Sequence, residues 1–172
     1  HHNLQRGLYT NHFIPYKLPN NTRPTITQYA GPLISKDQLQ DPSPQQSAYF
    51  KGVRMGQIID GFREPKPTYG MAQFCNDGIT STSETAPHLQ PVAPGLKRDK
   101  RKINCELRVT RHRDTGQVLV SLLPSRDIPA HEELCIAYDN HYWHRVQDAS
   151  QNEYTAPYLP PVYSPLNPTP PT

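Results

Sequence analysis

No stretch of this sequence approaches the roughly 18 consecutive apolar residues of a membrane-crossing helix, and its start does not read as a signal peptide. A helical membrane channel, a collagen-like repeat and a coiled coil are thereby excluded as expectations. Cysteine is scarce: Cys75, Cys105 and Cys135 are the only three. An odd count at wide spacing supports neither a disulfide framework nor a zinc site, which needs closely spaced pairs. Small buried thiols in a reducing intracellular compartment, nuclear or cytoplasmic, are expected instead. Charge of one sign is also scarce, with 18 Lys and Arg against 15 Asp and Glu for a net +3. Such an excess is too small for the whole chain to be a nucleic-acid binder. Large aliphatics are few: 14 Leu, 9 Ile, 7 Val and 4 Phe make about one residue in five of the 172. That fraction sits at the edge of what a packed core requires, so part of the chain is expected to fold and part not. An opening His1 rather than Met suggests a fragment or a processed chain.

Proline, in contrast, is abundant, and seven of the 20 fall in the last 16 residues. Proline lacks the amide proton that helix and sheet both use, so residues 146–172 are expected to form an extended tail. Pro160-Pro161-Val162-Tyr163 has the form of a WW-domain ligand, although a plain linker reads the same way. A second polar stretch, Ile79 to Lys102, carries Pro87, Pro91, Pro94 and Gly95 and has no apolar period. It is expected to be a long surface loop of about 79–102. Its end concentrates five cations in six positions: Lys97, Arg98, Lys100, Arg101 and Lys102. A solvated loop, a nuclear-import signal and a contact with an acidic partner all fit that run.

The rest of residues 1–145 predicts a mostly β domain. Thr25–Ala30, Val53–Asp60, Glu106–Thr110, Val118–Leu123 and Glu132–Tyr138 are short and β-rich, and Val118–Leu123 is apolar on both faces like a buried strand. Thr115-Gly116 suggests a hairpin between two of them. Helical signals are brief: Ser35 can cap a turn over the next few residues, and Tyr69–Phe74 can form another. His141 and His144 could share a helical face, but no third ligand of suitable spacing accompanies them, so no metal site is expected.

Several segments, in order, resemble the SET domain of protein lysine methyltransferases. Arg6-Gly7-Leu8-Tyr9 looks like the family's opening Gly-rich turn, and Ile26–Gly31 is similar to its I-x-x-Y-x-G strand. Ile59-Asp60-Gly61 and Ala72-Gln73-Phe74-Cys75-Asn76-Asp77-Gly78 fall where the family has Ile-Asp plus a small residue and its A-R-F-I-N-H-S segment. Asn104-Cys105 resembles the N-C pair. Arg126-Asp127-Ile128, then Glu132-Glu133-Leu134 and Tyr138, resemble R-D-I-x-x-G-E-E-L ending in the catalytic tyrosine. The likeness spans roughly residues 5 to 143.

The resemblance implies a SET-like fold of short sheets with a knot-like C-terminal crossing near Asn104 and Cys105. It implies methyl transfer from S-adenosylmethionine to a lysine amine of a protein or peptide, a histone being one possibility. By the same likeness Tyr138 and Tyr29 are catalytic and line a lysine channel, and Gly7, Leu8, Tyr9, Asn76, Asp77 and Tyr138 contact the cofactor. Only a neutral amine can attack, and free lysine, with a pKa of about 10.4, is almost wholly protonated at neutral pH. A narrow apolar channel would favour the neutral form, leaving alignment as the main catalytic task. The sequence departs from the family at Gln5, Pro32, Gln73 and Asp77, where Gly, Glu, Arg and His are usual, and no cysteine follows Tyr138. With no zinc-binding segment to close the channel, Tyr142, Trp143, Tyr154 and Tyr158 are the aromatics available to do so, Trp143 reading as a core or lid residue. A second reading therefore stands beside the first: a catalytically inactive SET-like peptide-binding or scaffolding module whose tail recruits WW-type partners. A basic-loop nucleic-acid or chromatin adaptor is a third, although direct nucleic-acid binding is not favoured by the small net charge.

Overall fold

A computed structural model of the chain describes residues 7–39, 49–53, 56–62, 66, 68–139 and 142–143. The tail at 146–172 with its Pro160–Tyr163 segment, Gln5, His141, His144, Tyr154 and Tyr158 lie outside the described residues. Within them the fold is mostly β, built as three small antiparallel sheets with two single 3-10 turns. None of its helices is long and apolar enough to cross a membrane.

The largest sheet grows from the hairpin that the sequence predicts. β8 (Cys105–Arg111) and β9 (Val118–Pro124) pair along seven residues, from Cys105↔Pro124 to Arg111↔Val118. The turn closes with His112 N–H on the Gln117 carbonyl at 2.8 Å, and Gly116 takes a φ of +68°, which a residue without a Cβ adopts freely. β1 (Thr27–Gln28) adds to the other edge of β9. β9 is therefore central, which explains its two apolar faces: Val120, Leu122 and Leu123 are all buried.

The second sheet has the order β2 (Leu33–Ser35), β4 (Gln57–Asp60), β3 (Phe50–Gly52). Ile58 and Ile59 of its central strand are buried. The first 3-10 turn, Lys36–Gln38, starts where Ser35 predicts, and Ser35 and Gln38 form a reciprocal capping box. The second, Ala72–Phe74, falls inside the expected Tyr69–Phe74 turn and is wholly buried.

Two expectations require correction. The stretch 79–102 is not a long loop but carries the third sheet, β5 (Ile79–Thr80), β7 (Leu96–Asp99), β6 (Leu89–Ala93), in that order. Pro91 is tolerated because β6 is an edge strand, where a missing N–H breaks no interior ladder, and the register shifts between Pro91 and Ala93. The basic run divides accordingly: Arg98 is buried within β7, whereas Lys100, Arg101 and Lys102 sit exposed after it. The segment Glu132–Tyr138, in turn, joins no ladder and makes only isolated bridges, Tyr9↔Glu133 and Asn76↔Cys135.

The main core gathers Ala72, Cys75, Cys105, Leu122, Ile128, Leu134 and Ile136, with Leu8, Ile14, Tyr29 and Tyr138 packed against it. A smaller cluster of Val92 and Trp143 takes in Ile79, Leu96, Tyr142 and again Tyr138. The three cysteines are free and buried, as expected. Burial pushes Cys105 and Cys135 up to about 12 and raises Cys75 well above the ordinary range, so all three are neutral thiols.

Candidate active site

The bonding of residues 132–138 builds the site. Glu132 C=O accepts from Thr10 N–H at 3.0 Å, Leu134 N–H donates to Leu8 C=O at 2.7 Å, and Ile136 N–H donates to Asn76 C=O at 2.9 Å. Asn104, fully buried, completes the attachment. Its side-chain oxygen accepts from Cys135 N–H at 2.8 Å, and its amide donates to Glu133 C=O at 2.7 Å and to the Glu132 carboxylate at 2.8 Å. Burial tends to raise Glu132, but hydrogen bonds from Arg126 and Asn104 outweigh it and hold the carboxyl below its ordinary value.

These bonds bring Gly7, Leu8 and Tyr9 alongside Asn76 and Glu133. The Asn76 side-chain amide donates to Glu133 Oε1 at 2.6 Å. A Cβ added at Gly7 would lie 2.7 Å from Glu133 Oε1, 2.9 Å from Tyr9 Cε2 and 3.3 Å from Asn76 Nδ2, so any larger residue there must displace those side chains. Gly7, Asn76 and Glu133 are half-buried and Tyr9 is exposed, which leaves the cluster reachable from solvent.

Tyr138 lies just beyond. Its hydroxyl donates to the Cys75 carbonyl at 2.5 Å, one residue before Asn76, and burial keeps the phenol well above its ordinary value. Its ring stacks on Trp143 at 6.0 Å between centroids and meets Tyr142 edge-on at 5.0 Å. Tyr29 packs against the same main core, donates its hydroxyl to the Tyr49 carbonyl at 2.6 Å, and is likewise held protonated by burial.

Asp77 serves differently from the expected cofactor contact. Its carboxylate is fully enclosed and accepts from Arg98 Nε and Nη2, both at 2.7 Å, from Trp143 Nε1 at 2.8 Å and from Tyr138 N–H at 3.2 Å. Those four donors occupy both oxygens of the carboxylate, which is enclosed in the protein rather than open to a ligand. Trp143 is a core residue, 3% exposed.

The structure brings Gly7, Leu8, Tyr9 and Asn76 together with Glu133 and bonds the Tyr138 carbonyl to Arg98, two residues that the sequence expectations did not single out. Glu133 lies within the Glu132-Glu133-Leu134 segment, but its place opposite Tyr9 is set by the fold and has no local sequence signal. Arg98 was hidden among five cations, and only the register Ile79↔Arg98 between β5 and β7 sets it near Asp77. Among the described residues no group of three or more His, Cys, Asp or Glu is arranged to hold a metal ion.

Known proteins add no identification: no family model matches the chain, and no curated protein matches it.

Proposed function

We propose that the chain is an S-adenosylmethionine-dependent protein-lysine N-methyltransferase of the SET-domain type. The observation that carries this reading is the convergence of Gly7–Tyr9, Asn76 and Glu133 from segments more than fifty residues apart in sequence, with the Tyr138 hydroxyl bonded to the carbonyl of Cys75, the residue before Asn76. The donor set fits the amino-acid end of that cofactor. The Glu133 carboxylate suits an ammonium, the Asn76 amide can both donate and accept, and Gly7 adds no side chain to the crowded space beside them. When bound, the cofactor supplies an electrophilic methyl on a sulfonium.

The chain's own residues then orient and desolvate the acceptor. Tyr138 remains a neutral phenol, so it does not act as a base at neutral pH. With its proton given to the Cys75 carbonyl, its oxygen keeps lone pairs for an amine N–H or a polarised C–H. The rings of Tyr29 and Tyr138 supply the apolar surroundings that favour an uncharged lysine amine. The substrate is a lysine-bearing protein or peptide, with histone tails the first to try, which would place the activity in the nucleus.

Two readouts test the proposal. Millimolar S-adenosylmethionine should raise the melting temperature by mass action, and Gly7→Val should abolish that shift. Mass spectrometry of candidate peptides should reveal added methyl groups, and Tyr138→Phe should lower kcat by about 10²-fold while leaving the cofactor-dependent shift intact. A shift without transfer to any peptide would favour the inactive scaffolding module, and no shift at all would overturn both the cofactor and the enzyme.

A further inference from the structure

A buried ion pair is a costly way to fill space. Removing two charges from water offsets most of their attraction, and apolar residues of similar volume commonly do as well for stability. Asp77 and Arg98 nevertheless form such a pair with side chains only 0% and 5% exposed. Its outer contacts are specific. The Asp77 carboxylate accepts the Tyr138 N–H and the Trp143 indole N–H, and the Arg98 guanidinium donates to the Tyr138 carbonyl. Both backbone groups of Tyr138 are thereby held by the two side chains, in the place where a strand residue would have a ladder partner. The same carboxylate fixes the indole on which the Tyr138 ring stacks.

We propose that Asp77 and Arg98 are a positioning pair for Tyr138, setting its backbone and its stacking partner so that the hydroxyl reaches the Cys75 carbonyl. As a statement about catalysis this rests on the methyltransferase reading above; as a statement about placement it does not. Fork geometry is essential to it. Arg98 spans both Asp77 oxygens and the Tyr138 carbonyl at once, which a single lysine ammonium cannot do.

Arg98→Lys separates positioning from charge compensation, because it keeps the cation and loses the fork. In protein carrying 13C-labelled tyrosine, the Tyr138 ring-carbon resonance should move in this variant while that of Tyr29 stays. The indole N–H resonance of Trp143, the only tryptophan, should move as well. Methyl transfer should fall by about 10–100-fold in kcat, as expected for a misplacement approaching 1 Å, with KM for the cofactor unchanged within about twofold. Should Arg98→Lys fail to melt cooperatively, Asp77→Asn replaces it, since it keeps one oxygen for Arg98 and turns an amide toward the Tyr138 and Trp143 N–H groups. An unmoved Tyr138 resonance, or full kcat in a folded variant, would overturn the proposal. If the unmodified protein transfers no methyl group, the methyltransferase reading fails and the resonance alone decides the pair.

Discussion

In the β8–β9 hairpin seven consecutive residue pairs face one another across a regular ladder, whereas residues 132–138 meet Thr10, Leu8, Asn104, Asn76 and Asp77 in turn. Both arrangements satisfy buried backbone groups, yet they distribute the task differently. A ladder shares it among many equivalent bonds, each replaceable in part by its neighbours. The 132–138 segment rests on single contacts from distant parts of the chain, several made by one side chain. The candidate site lies on the second kind of structure, because a segment that touches many others connects the Gly7, Asn76 and Tyr138 regions.

The sharpest way to break the comparison is Asn104→Ala. It strands the buried Cys135 N–H and removes the partner of the half-buried Glu133 C=O, each a loss of about 1–3 kcal/mol, so denaturant unfolding should show a loss of about 3–5 kcal/mol. A loss under about 1 kcal/mol would mean that the segment is held some other way.

Alkaline pH probes the same region more gently. Cys75, Cys105, Cys135, Tyr29 and Tyr138 all have folded-state values raised by burial, from ordinary values of 9.0 for the thiols and 10.0 for the phenols. Groups raised on folding contribute stability fully below the unfolded value, and that contribution is lost as pH climbs toward the folded one. Unfolding free energy should thus be flat in these groups up to about pH 8 and fall above pH 9, each contributing at most about 1.4 kcal/mol per pH unit. Urea titrations at pH 8 and pH 10 check this; equal stabilities would show that the thiols and phenols ionise in the folded protein.

The smallest effect belongs to the ladder. Gly116→Ala imposes a Cβ on a φ of +68° but meets no closer atom than Arg111 Nη1 at 3.7 Å. The cost is therefore conformational only, about 1 kcal/mol, and should appear as a small drop in melting temperature.

What could be read from the sequence follows the same division. The hairpin was legible because its signals are local: the Thr115-Gly116 turn and a doubly apolar strand. The Ser35 cap was legible for the same reason. The β5–β7–β6 sheet was not, since Pro91 and Pro94 interrupt the alternation that marks a strand; Pro91 is acceptable only at the edge, and Pro94 lies in the turn between β6 and β7. Residues 132–138 have a strand's composition, but nothing local reveals that their partners are single residues far away. At the site, motif order was enough to group Gly7, Asn76 and Tyr138. It could not show that the Asp77 carboxylate faces inward to Arg98, because that depends on the register between two strands read as loop.

The stitching of residues 132–138 also sets a timetable for the newborn polypeptide. Leu8, Thr10, Asn76 and Asn104 leave the ribosome well before the partners that will occupy them, and the apolar side chains of Leu134 and Ile136 that seal the main core arrive last. Until then the residues that precede Glu132 carry an open seam. Chaperone engagement should peak during that interval, and truncation products ending ahead of Glu132 should be aggregation-prone however well their hairpin forms.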